Sequence, residues 1–241
     1  MASKHLCFIC VHLWLILPAF FSPPVFAGEK TKSPPSPVVA ASPASAPDSK
    51  TLLSPDAQRA AGEGVRAFER GDLELARKDF EKLLQAAPDS IFGLTNLGAV
   101  EYREKKFDDA EKHLKRAVRL QPEGAPAWLT LGALYCDQEK LDAALAALSQ
   151  AVLLDPKNAR AHNYLGVTIG KKGWYSGAEA ELRRALELQP DYAEANFNLA
   201  LAYLQRTPPS VELARRHYAR ALELGAERDP LIEKSLAEEK K

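Results

Sequence analysis

Cysteine is nearly absent from this chain. Three occur in 241 residues, and only Cys136 lies beyond the first 27. A lone cysteine there excludes an intramolecular disulfide. Its place next to Tyr135 reads as a small packed side chain rather than a reactive thiol. Net charge is absent too, because 32 basic residues meet 32 acidic ones. A balanced chain lacks the basic footprint of a nucleic-acid binder. Local pairs such as Arg183-Arg184 and Arg215-Arg216 lie among glutamates and read as solvated helix faces. No catalytic constellation can be assembled. Beyond residue 27 the histidines are His113, His162 and His217, far apart and without H-x3-H spacing, and there is no CxxC. His162 is expected to pack, and His113 and His217 to face solvent. G-x-S-x-G, Walker A and G-x-G-x-x-G patterns are also missing, and Gly62-Glu63-Gly64 sits inside a helical pattern. The expectation is a chain that is not an enzyme and needs neither metal nor cofactor.

The first 27 residues differ from the rest. Lys4 is their only Lys or Arg, they hold no Asp or Glu, and Leu6 to Phe21 is mostly apolar. Val25 and Ala27 place small residues before a cut at Gly28, which is a secretory signal pattern. An uncleaved membrane anchor is the competing reading, but the stretch is short and Pro18, Pro23 and Pro24 interrupt it. Residues 28–52 are rich in Pro, Ala and Ser and read as an extended linker.

What is abundant after that is repetition. Pro88, Pro122, Pro156 and Pro190 are each 34 residues apart. In the same frame run Leu97, Leu131, Leu165 and Leu199; Gly98, Gly132 and Gly166; Ala110, Ala144 and Ala178; and Leu114, Leu148 and Leu182. A fixed period of this length marks stacked structural units. Within one unit, Trp128, Leu131, Gly132 and Tyr135 share a helix face, as do Ala144, Leu148 and Ala151. Each unit is therefore two amphipathic helices, A and B, and the proline stops helix B. The spacing predicts pairs at 91–104 and 107–120, 125–138 and 141–154, and 159–172 and 175–188. Ser54 and Pro55 start the first helix as cap and first residue. Asp229 and Pro230 repeat that signal, and Leu231, Ile232 and Leu236 are expected to cover the open end of the stack.

At these residues the chain resembles the tetratricopeptide repeat family, whose pattern is W-x2-L-G-x2-Y, then A-x3-F, then P. The third unit matches most fully, with Trp128, Leu131, Gly132, Tyr135, Ala144, Leu148 and Pro156. The resemblance implies an all-α fold, a right-handed superhelical α-solenoid. It would hold about five helix pairs (57–90, 91–124, 125–158, 159–192 and 193–226) and a C-terminal capping helix over 229–241.

The resemblance also implies that the A helices line a concave groove. Its candidate contacts are Asn96, Asn163 and Asn198 for a peptide backbone, with Thr130 beside them. Arg103, Arg160 and Lys171 would take acidic groups, and Tyr164 and Phe197 would serve as apolar anchors. The charged clamp of chaperone-binding members is missing, since Ala61, Val65 and Thr130 stand in its place. The expected function is a non-enzymatic adaptor or scaffold for a protein or peptide partner, with no role for nucleic acid. An export signal on a lone repeat array suggests a bacterial cell envelope, periplasmic or secreted. A self-assembling structural module, or a subunit tethered to the membrane through an uncleaved signal, is the alternative.

Overall fold

The computed structural model describes residues 53–238. The expected signal over residues 1–27 and linker over 28–52 lie outside the described residues, as do 239–241. The described chain is helical, with no strand. It runs α1 (Pro55–Glu69), α2 (Leu73–Ala86), α3 (Ile91–Arg103), α4 (Phe107–Leu120), α5 (Ala125–Asp137), α6 (Leu141–Leu154), α7 (Ala159–Lys171), α8 (Tyr175–Leu188), α9 (Ala193–Gln205), α10 (Val211–Glu223) and α11 (Pro230–Glu238).

Local chemistry sets these limits. The Ser54, Asp72, Ser90 and Asn158 side chains each accept a bond from a first-turn amide, satisfying a donor the helix leaves open. Asp108 and Asp109 sit in the first turn of α4, favourable against the helix dipole. Helices α2, α4, α6 and α8 all end two residues before their proline. The turn between A and B helices uses one left-handed residue at the same repeat position: Gly71 at φ 80°, Lys105 at 60°, Glu139 at 57° and Gly173 at 82°. Glycine takes this conformation without strain, whereas Lys105 and Glu139 hold it against their Cβ.

Packing follows the repeat columns. Each A helix packs on its own B helix, and each B helix on the next A helix. The centre of each of the first four pairs is a glycine facing a large side chain. A Cβ on Gly98 would lie 2.7 Å from Leu114 Cγ, on Gly132 2.5 Å from Leu148 Cγ, and on Gly166 2.7 Å from Leu182 Cγ. In the first pair Gly64 does the same against Phe80, at 2.9 Å. Leu114, Leu148 and Leu182 are buried as a result. Polar ties then join adjacent units. Trp128 Nε1 donates to the Pro122 carbonyl at 2.7 Å, and His162, in the same slot, sets Nε2 3.1 Å from the Pro156 carbonyl. Tyr135 donates to Glu111 and Tyr203 to Glu179, each at 3.0 Å.

Two expectations need correction. His113 and His217 are not on solvated faces. His113 Nδ1 lies 2.7 Å from Glu101 Oε2, and His217 Nδ1 lies 3.0 Å from Asn196 Oδ1, because each B helix turns this column toward its own A helix. In the terminal helix, Ile232 and Leu236 are buried but Leu231 is 56% exposed, so the cap uses one helix face only. Cys136 is buried as expected, and burial raises its thiol pKa.

An amide oxygen only accepts, so His217 carries its proton on Nδ1. Burial pushes this imidazole below its ordinary value, and the charges of Arg216 and Arg183 push the same way against Glu179. The unfolded chain then binds a proton that the fold resists, and stability falls as pH drops through about 6.5. His217→Gln is expected to lose less urea resistance than the parent between about pH 7.5 and pH 5. An equal loss in both proteins would contradict this.

Gly132→Ala is expected to destabilise the fold by about 1–3 kcal/mol in urea unfolding. Gly62→Ala, where the new Cβ meets nothing nearer than Arg66 at 3.5 Å, is expected to stabilise α1 by up to about 1 kcal/mol. Effects of the same sign at both positions would refute the close-approach account.

Candidate functional site

The helices α1, α3, α5, α7 and α9 touch one another in series, and no comparable series joins the B helices among the described residues. Elements on the shorter arc of a curved stack lie closer together, so the A helices line the concave wall. At one repeat position these helices carry the buried apolar side chains Ala99, Ala133 and Val167.

The expected contact residues divide into two groups. Some are taken up by the stack itself. Asn96 Nδ2 donates to the Phe92 carbonyl at 2.8 Å, and Thr130 Oγ1 to the Pro126 carbonyl at 2.9 Å, both one turn back. Phe197 is turned into the core, where its ring lies 6.1 Å from that of Tyr218. Lys171 closes the end of α5, donating to the Cys136 carbonyl at 3.3 Å and to Glu139 at 2.6 Å.

The others touch residues of neighbouring A helices or one another. Asn198 donates to Asn163 Oδ1 at 3.0 Å, and Asn163 Nδ2 lies 3.5 Å from the Tyr192 hydroxyl. The Arg103 guanidinium sits 4.9 Å over the Phe68 ring. Burial lowers the Arg103 pKa, and the positive charge of Arg160 lowers it further, which places the two cations within reach of each other. Arg160 in turn hydrogen-bonds the Tyr164 hydroxyl, whose pKa is raised chiefly by burial.

Two groove residues had no place among the sequence candidates. Tyr102 donates to Asp137 Oδ2 at 2.5 Å, across 35 residues of sequence. Burial raises the pKa of both groups, so the pair forms a neutral donor against a partly desolvated carboxyl. Tyr192 precedes α9, and burial raises its pKa too. Tyr102 stands in a groove column of the repeat and was findable there. Tyr192 lies in a connecting turn, which carries no periodic signal.

The sequence matches the model of the tetratricopeptide repeat protein 21 C-terminal ARM domain over residues 64–216. The chain belongs to the tetratricopeptide repeat family. Solved structures agree. A thermophilic tetratricopeptide repeat protein of Thermus thermophilus, TTC0263, superposes with TM-score 0.61 at 25% identity, covering 76% of this chain and 97% of that one. MamA of Desulfovibrio magneticus RS-1 gives TM-score 0.61 at 18% identity, with 72% and 97% covered. YrrB, described as a TPR protein with an unusual peptide-binding site, gives 0.57 at 20% identity, with 77% and 92% covered. A comparison with curated proteins finds no match. The tetratricopeptide repeat fold is that of a protein-interaction module.

Within this repeat groove, Asn163 is held by its neighbours. Asn163→Leu leaves Asn198 Nδ2 without its acceptor and is expected to cost about 1–3 kcal/mol of folding stability. A urea midpoint equal to that of the parent would show that the ladder contributes nothing.

Proposed function

We propose that this chain is a non-enzymatic adaptor that holds an extended segment of a partner protein in its concave groove. The observation that carries the reading is the convergence of Arg103, Arg160 and Tyr164, with Tyr102 and Tyr192, on the inner wall. Rings offer apolar contact area, and guanidinium groups offer charge-assisted bonds to carboxylates. Asn198 adds a half-buried amide beside them. Asn96 and Thr130 bond their own helices and Phe197 packs on Tyr218 of α10, so the three serve as wall rather than contact.

The reading extends to the cell envelope of a bacterium, periplasmic or secreted, after cleavage between Ala27 and Gly28. The support is the apolar leader with Val25 and Ala27 before the cut. No helix among the described residues is long and apolar enough to cross a membrane.

One preparation tests both parts. The chain is recovered from an envelope extract together with its partners, and its N-terminus is weighed by mass spectrometry. A start at Gly28 is expected, and an intact Met1 would replace export with a membrane tether. The double variant Arg103→Glu, Tyr164→Ala is expected to lose at least about tenfold of the partner, corresponding to about 1.4 kcal/mol of binding. Equal recovery by both proteins would remove the groove from the function.

A further inference from the structure

The groove contains a row of phenol rings that the repeat fold does not require. Tyr102 comes from α3, Tyr164 from α7, and Tyr192 from the turn before α9. Tyr164 lies within electrostatic reach of both of the others. All three rings are half-buried, and their hydroxyls are anchored. Tyr102 bonds Asp137, Tyr164 bonds Arg160, and Tyr192 lies by Asn163. Anchored hydroxyls fix the rings in place. An aromatic-lined trough of this kind suits a polyproline II segment, which has no internal hydrogen bonds and little conformational entropy left to lose.

The sequence before α1 holds a proline-rich stretch. Between Pro34 and Pro47 lie 14 residues that include Pro34, Pro35, Pro37, Pro43 and Pro47, without a charged side chain. They lie outside the described residues and reach α1 through residues 48–52. As polyproline II they are about 43 Å long. The groove from α1 to α9 has four steps between touching A helices, each about 8–10 Å, or about 32–40 Å in all. The remaining five residues before α1 span about 15 Å when extended. Length and ring lining match.

We propose that residues 34–47 of this chain dock along its own tyrosine-lined groove and occupy the partner's place until a partner displaces them. The proposal rests on the groove being the binding surface. Tethering gives the segment an effective concentration in the millimolar range, so weak contacts suffice to hold it and only a tighter partner removes it.

The test is fluorine NMR on the purified chain with no partner present, so its outcome is separate from whether an envelope partner exists. The chain is labelled with 3-fluorotyrosine, and its seven tyrosines are assigned by single Tyr→Phe changes. It is compared with a variant in which Pro34, Pro35, Pro37, Pro43 and Pro47 are all replaced by Ser. The signals of Tyr102, Tyr164 and Tyr192 are expected to shift, while those of Tyr135, Tyr175, Tyr203 and Tyr218 stay in place and report an intact stack. The shifts are expected to be the same over a tenfold range of protein concentration. Unmoved groove signals would overturn the proposal. A shift that grows with concentration would overturn it in favour of a second copy as the occupant.

Discussion

Gly132 and Leu148 meet where a methyl group does not fit, and the stack is built on that contact and its copies. Gly98 faces Leu114, Gly166 faces Leu182, and Gly64 faces Phe80. A glycine on helix A lets a branched side chain of helix B reach the backbone, so each pair closes to a small separation. Small residues continue the theme at Ala110, Ala144 and Ala178. Tight pairs present one flank to the next unit, and the same chemistry then repeats without a long-range partner in sequence. In the fifth unit Ala200 replaces the glycine and Tyr218 packs against Phe197 instead. There the chain bears the two extra residues before α10, and the terminal helix finishes the core with Ile232 and Leu236.

The groove is a by-product of that packing. Because the A helices touch each other in series, residues about one repeat apart become neighbours on the inner wall. Tyr102 meets Asp137, and Asn198 meets Asn163. Each such pair satisfies polar groups that would otherwise face a crowded surface. The proposed function gives the partner's place to ring area and the guanidinium groups of Arg103 and Arg160.

The helix pairs were legible because their signal is local. Positions one turn apart share a face, and the proline column marks each stop, so the expected ends fall within one residue of those of α3 to α8. Caps were legible where a Ser or Asp sits before a Pro, as at Ser54 and Asp229. The left-handed turn column was legible only in part, because glycine marks it at Gly71 and Gly173 while Lys105 and Glu139 hide it. Groove chemistry was less legible. Asn96 and Thr130 look available in a column of exposed positions, yet each bonds a carbonyl one turn back on its own helix. Phe197 looks like an anchor and is core, because the fifth pair has to fill the space with aromatic rings.

By itself, the sequence determined the repeat length, the two helices in each unit, and the columns that face inward between them. These depend on the rise and turn of a single helix and on the volume of a side chain. The tertiary structure alone decided which groove residues pair with each other and which turn into the wall. That depends on how far each unit is rotated against the next. A few degrees of rotation carries a hydroxyl toward a carboxylate or away from it, and no column of letters records that angle.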